Sequence, residues 1–231
     1  MKSETLKQLL HDRSEKTSVI LATNLSSGEE QLIYLTDLDD RKDLDKVFSE
    51  AVKETFRSDR SKTIQAADGL VFLNVFNPPL RMIIVGAVHI AQPLARMASL
   101  LGYDITIVDP RSAFATDERF PGVTLLTDWP DDALSSLAPD ARTAIVTLTH
   151  DPKLDDPALE VALKSKSFYV GSLGSKKTHA ARLKRLNEAG FAENELERIN
   201  GPVGLAIGAR SPAEIAVSIL AQVTEALRQG S

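Results

Sequence analysis

Four short stretches concentrate the groups that could bind or move charge: Gly86-Ala87-Val88-His89, Asp109-Pro110-Arg111, Thr149-His150-Asp151, and Gly171-Ser172-Leu173-Gly174-Ser175-Lys176-Lys177. The first lies in RMIIVGAVHIAQPLARMASLLGYDITIVDP, residues 81–110, which has the frame of a dinucleotide-binding strand, turn and helix. The G-x-G-x-x-G positions of that frame are Gly86, Val88 and Ala91. Alanine is tolerated at the third. At the second, glycine normally lets the backbone approach a pyrophosphate, and the Val88 side chain would stand in that space. Strand and helix are therefore expected to form, with either a ligand other than an ordinary dinucleotide or a site that has lost its ligand.

Asp109 follows Gly86 by 23 residues, near the spacing at which a carboxylate meets ribose hydroxyls in this fold. An aspartate capping a turn before proline accounts for it equally well. In Gly174-Ser175-Lys176-Lys177, two lysines open a helix and oppose its dipole. A phosphate held by the turn's N–H groups, Ser175 and one lysine would relieve that opposition; two solvated lysines on a surface turn are the alternative. His150-Asp151, with Asp155 and Asp156 nearby, offers acid–base or metal chemistry. Without a second histidine in reach, a capping aspartate beside a packed histidine is preferred. His89 and His179 each read as structural when taken alone, and His11 carries no signal.

The rest of the chain bounds these chemistries. Its 231 residues, 43% hydrophobic and 26% charged, suit one large domain or a medium domain with a small one. The net charge of −5 is scattered, so no nucleic-acid partner is expected. There is no cysteine, which removes disulfides and thiolate chemistry. MKSETLKQLLHDRSEK lacks an apolar signal core and no run of about 18 apolar residues follows, so a cytoplasmic protein without membrane attachment is expected.

The elements that must position the four stretches can be read from periodicity. Residues 1–79 suggest a helix near 3–12, strands in SVILATNL and QLIYLT, a charged helix from about Asp43 to Arg57, and a strand in LVFLNVF. Asn77-Pro78-Pro79 then ends the strand and marks a domain boundary. Beyond it, strands are expected at 82–86, 104–108, 123–126, 143–149 and 167–171. Helices are expected at 91–101, 131–137, 156–165 and 175–189, the last closed by Gly190. Ser211-Pro212-Ala213-Glu214 is a capping box, and Ile215, Ile219, Val223 and Leu227 share the face of a final helix. The predicted class is α/β: a Rossmann-like, mostly parallel sheet with helices on both faces over residues 80–231, preceded by a small α+β domain over 1–79. In such a sheet, ligands bind beyond the carboxyl ends of the strands. All four stretches would then lie on one edge.

Five ordered blocks, IIVGAVHIAQPLA, VDPRSAFATDERFPG, TAIVTLTHDPKLDDPAL, FYVGSLGSKKTHAARLKRL and INGPVGLAIGARSPAEIAVSILA, together resemble the XdhC/CoxI family over about residues 70–230. The resemblance implies an accessory factor, a chaperone rather than a catalyst. Such a factor binds molybdenum cofactor, an anionic pterin carrying phosphate, and supports its maturation by a sulfur-transferring enzyme. It then delivers the cofactor to a molybdenum hydroxylase of the xanthine dehydrogenase or carbon monoxide dehydrogenase type. On this reading Gly86, Ala87, Val88 and His89 set the turn, Asp109 and Arg111 meet sugar or pterin, and Gly171, Leu173, Gly174, Ser175 and Lys176 hold phosphate. Thr149, His150 and Asp151 shape the same crevice.

Three departures from the family stand out. The Gly-Gly-Cys segment of full-length members is missing from residues 1–79, so a separate protein of the N-terminal XdhC type is an expected partner, and a homo-oligomer the expected assembly. Ala206 replaces the aspartate of the Gly-Leu-Asp-Ile-Gly-Ala segment, and Val88 replaces a glycine. Two other readings stay open: an NAD(P)-dependent oxidoreductase with His150 as acid–base, and an interaction subunit without a ligand.

Overall fold

The computed structural model describes residues 2–38 and 45–229. The chain divides into two compact units, Met1–Pro78 and Pro79–Ser231.

In the first unit, α1 (Ser3–Ser14), β1 (Val19–Asn24), β2 (Glu30–Tyr34), α2 (Lys46–Ser58), β3 (Lys62–Ala66) and β4 (Gly69–Phe76) follow one another. The strands form an antiparallel sheet in the order β2-β1-β4-β3. Ile20, Ile33, Val52, Phe56, Val71 and Leu73 make its core. The β1–β2 turn is held by Asn24, whose side-chain oxygen accepts the N–H groups of Ser26 and Ser27 at 2.9 and 3.0 Å. Strand β3 gives little sequence signal, because KTIQA has a single large apolar residue and stays partly exposed along its length. Asp43, where the charged helix was expected to begin, lies outside the described residues.

The second unit runs β5 (Arg81–Val85), α3 (Ala91–Leu100), β6 (Asp104–Val108), β7 (Thr124–Leu126), α4 (Pro130–Leu137), β8 (Thr143–Thr147) and α5 (Pro152–Lys164). It continues with β9 (Tyr169–Ser172), α6 (Lys176–Glu188), α7 (Glu193–Leu196), β10 (Ile199–Asn200) and α8 (Pro212–Gln229). Its six strands are parallel, in the order β10-β9-β8-β5-β6-β7. This is the Rossmann-like sheet expected from the alternation of strands and helices. MIIV is buried on both sides, as a central parallel strand must be. Met82 and Ile84 face a core with α3 and α8, while Ile83 and Val85 face one with α4, α5 and α6.

Helix α5 begins before the expected residue 156, because Asp151 caps it through the Lys153 N–H at 3.0 Å and Pro152 takes the first helical position. Pro157 is accommodated inside the helix, leaving the Lys153 carbonyl without its helical donor. At α8, Glu214 accepts the N–H groups of Arg210 and Ser211, both at 2.8 Å, and Ser211 Oγ accepts the Glu214 N–H at 3.3 Å. Those bonds hold the Glu214 carboxyl below its ordinary range. Ser211→Ala should lower stability by about 1 kcal/mol; an unchanged urea midpoint would show that the cap contributes nothing.

Candidate functional site

Parallel pairing places the ends of β9, β8, β5 and β6 side by side on one edge, in that order. Neighbouring strands lie about 4.8 Å apart, so the edge from β9 to β6 spans about 14 Å. The chain crosses from the β6–β7 side to β8 past β5, which puts the topological switch point between β5 and β8. The Gly86 and Thr149 turns flank it.

Gly86 has φ +109, and a Cβ there would come within 2.7 Å of Thr149 Cγ2 and 3.3 Å of the Thr149 N. The first glycine of the fingerprint is thus required by its neighbouring turn. Ala87 is buried, Val88 is half-buried against the α3–α8 core, and His89 is exposed.

Asp109 is fully buried, and four donors occupy its carboxylate. Oδ2 accepts the Ala87 N–H and Arg111 Nη2, both at 2.8 Å. Oδ1 accepts the Arg111 N–H at 3.0 Å and Nε at 2.8 Å. Burial pushes this carboxyl up, but the bonds from Arg111 and Ala87 outweigh it and hold the group below the usual range. With about four lone-pair positions filled, Asp109 has none left for a ribose. It ties the turn after β5 to the loop after β6 and makes the Asx turn offered by the alternative reading. Arg111, so anchored, lays its guanidinium 4.8 Å from the centre of the Phe114 ring.

On the other half of the edge, Thr149 is half-buried, while His150 and Asp151 are exposed, His150 with φ +62. Asp156 pairs with Arg185, Nη2 to Oδ1 at 3.0 Å. Among the described residues, no three His, Asp or Glu side chains gather where a metal ion could sit. Ser175 caps α6, its Oγ accepting the Thr178 N–H at 3.1 Å. Lys176 and Lys177 are exposed in the first turn, with no acidic residue there. Their backbone N–H groups precede any helical acceptor. Gly171 is buried beside Val203 and Tyr169, and a Cβ there would come within 2.7 Å of the Tyr169 hydroxyl. Its role is close packing, while Leu173 and Gly174 carry the chain to the cap.

Two groupings were not expected from sequence, although Asp155 was noted beside His150-Asp151. Phe114 and Arg119, from the loop after β6, join Val88, His89 and Arg111 around a cavity of about 360 Å³. Asp155 and Arg182 form an ion pair beneath the edge, 1% and 2% exposed, with Oδ2 and Nη2 3.6 Å apart. Asp155 Oδ1 accepts the Thr149 hydroxyl at 2.6 Å and its N–H at 3.3 Å. Arg182 Nη2 donates to the Leu173 carbonyl at 2.9 Å. The pair therefore braces both the Thr149 and Leu173 turns. Burial raises the Asp155 carboxyl despite Thr149 and Arg182, and it lowers Arg182. Asp155 Oδ2, Arg182 Nε and Nη1, and His179 Nδ1 are buried without a hydrogen-bond partner.

A family model described as the XdhC Rossmann domain matches residues 82–223. The chain is 36% identical over 148 residues to the molybdenum cofactor insertion chaperone PaoD of Escherichia coli, covering 64% of this chain and 40% of that protein. It is 33% identical over 156 residues to a probable xanthine dehydrogenase subunit of Bacillus subtilis, covering 67% and 45%. The matched stretch thus spans less than half the length of either relative. A crystal structure described as a xanthine dehydrogenase from Bacillus halodurans covers 99% of this chain, with a TM-score of 0.70 and 24% identity. That chain is covered to 65%, and the likeness is one of fold. No helix among the described residues is long and apolar enough to cross a membrane.

Proposed function

Because the chain belongs to the XdhC family through its Rossmann domain, we propose that it is an accessory factor of molybdenum hydroxylases. It holds molybdenum cofactor as cargo along the carboxyl edge of its parallel sheet and delivers it to the enzyme. The names of its relatives, a molybdenum cofactor insertion chaperone and a xanthine dehydrogenase subunit, support this reading.

The observation that carries it is the start of α6. A glycine turn, the N–H groups of Lys176 and Lys177, and two exposed lysines with no acid in the turn stand together there, and phosphate is the group such a place favours. The chain has no cysteine to ligate molybdenum, so its contacts with the cargo are hydrogen bonds and charge pairs to the pterin and phosphate. His89 and Arg111, in the turns after β5 and β6, border the same edge. Asp109 and the Asp155–Arg182 pair act as positioning residues, fixing turns they join. The sulfur-transferring enzyme and a protein of the N-terminal XdhC type complete the proposed assembly.

Two features speak against a nicotinamide enzyme. Val88 occupies the second glycine position, and the Asp109 carboxylate is fully engaged within the protein.

The test is retention of pterin. The protein is purified without oxygen from cells that make the cofactor, then denatured, and the released pterin is assayed. Lys176→Ala with Lys177→Ala should lower the recovered pterin by about tenfold, the equivalent of about 1.4 kcal/mol. Equal recovery from wild type and variant would remove the phosphate assignment.

A further inference from the structure

Three cavities adjoin along α3 and share their walls. The first, of about 360 Å³, is lined by Val88, His89, Arg111, Phe114 and Arg119 among others. The second, about 270 Å³, shares Arg119 and adds Gln92, Arg96, Leu100 and Phe120. The third, about 430 Å³, shares His89 with the first and Gln92 and Arg96 with the second, and reaches Pro212 at the start of α8. Together they make one belt.

Its charge is one-sided. Arg96, Arg111, Arg119 and His89 line it, and no aspartate or glutamate lines any of the three cavities. Asp117 and Glu118 belong to the same loop but are not among the lining residues. Of the three arginines, Arg111 is answered by Asp109. Arg119 meets only neutral acceptors. These are the Phe114 carbonyl and the Gln92 amide oxygen, the latter at 3.2 and 2.9 Å in the orientation that satisfies both groups. Arg96 is exposed, with no ion-pair partner among the described residues. A chain of net charge −5 has thus gathered three arginines around α3, two of them without a carboxylate partner among the described residues. Apolar side chains project beside them, Leu100 86% exposed and Phe114 46%. Exposed apolar anchors beside these arginines suit a protein interface better than a compact anion. Electrostatic complementarity then defines the partner.

We propose that this belt docks an acidic segment, carrying apolar anchors, of the client molybdenum hydroxylase. The identity of the client rests on the proposed function. The placement supports delivery, because His89 and Arg111 border both the belt and the cargo edge, so a docked client would face the ligand.

The test titrates a cofactor-free xanthine dehydrogenase against wild-type protein, Arg96→Glu, Leu100→Ser and, as a control, Lys166→Glu. All three positions are exposed, and circular dichroism confirms that each variant is folded. Arg96→Glu should bind about tenfold more weakly in 50 mM salt, and the gap should narrow in 500 mM salt. Leu100→Ser should weaken binding about fivefold in both, and Lys166→Glu should match wild type. Equal binding by all four proteins, or no complex with wild type, overturns the proposal. So does binding of GMP that depends on Arg96 while enzyme binding does not, since the belt would then be a small-anion site. The variants' pterin content is read in parallel and should be unchanged. Pterin retained without docking removes this inference alone. Docking without pterin in any protein removes the cargo reading and leaves the surface standing.

Discussion

Replacing Arg182 by methionine should destabilise the protein by about 3 kcal/mol at about pH 8 and by markedly less at about pH 5. Without the guanidinium, the Asp155 carboxylate would stay buried with only the Thr149 hydroxyl and N–H to answer it. Its folded pKa is already raised by burial, and losing the cation would raise it further. For a carboxyl shifted upward, the folded state binds the proton more tightly than the unfolded chain. Its contribution is therefore favourable below the unfolded value and is lost as pH rises through the folded one. The variant gains a proton at the lower pH and recovers. Arg182 also fixes the Leu173 carbonyl at 2.9 Å, so part of the loss is independent of pH. Changing Asp155 to leucine at the same time should restore most of the pH-dependent part, because two apolar side chains replace two buried charges. Urea unfolding at both pH values measures this. A loss that is the same at each would show that the pair is not coupled through charge.

The second large effect is at Asp109. Asp109→Asn keeps the shape but removes the charge that accepts from Arg111 and the Ala87 N–H, at a cost of about 2–3 kcal/mol near neutral pH. Arg111 is 40% exposed and can turn to water, which keeps the cost below that of a fully buried pair. The sign of the pH dependence is opposite to that of Asp155. A carboxyl held below its ordinary range contributes stability above the unfolded pKa and loses it as pH falls through the folded one. Wild type should therefore approach the variant's stability only in acid, below about pH 4. Urea midpoints across that range check it, and a constant difference down to about pH 2 would contradict the assignment.

These two carboxylates show what the sequence could reveal. Asp109 stands out by its distance from Gly86, yet spacing alone leaves ribose binding and a turn cap open. Only the positions of the Ala87 N–H and the Arg111 side chain decide what its oxygens meet. Asp155 carried a usable signal, since it shares helical spacing with Ala158, Leu159 and Ala162 and so falls on the buried face of α5. Its partner Arg182 lies on another helix, a pairing no local pattern encodes. The parallel sheet was legible because MIIV, ITIV and AIVT are short apolar runs separated by helical periods. Strand β3 has one large apolar residue, and β10 is only two residues long, below any period that could be read. The arginine belt was hidden for a related reason, since Arg96 lies on α3 while Arg111 and Arg119 come from a loop beyond the next strand.

Val88 is the residue on which the choice of ligand turns. Its side chain lines the cavity between the turns after β5 and β6, at the position where the dinucleotide fingerprint has glycine, and the proposed phosphate site lies at the β9 end of the edge. The most direct measurement titrates the apo-protein, without oxygen, with molybdenum cofactor freshly released from a molybdoenzyme, and separately with NADH. Saturable binding of the pterin near one equivalent per chain, with no saturable binding of NADH, is the predicted result. Saturable NADH binding with no affinity for the pterin would contradict the account.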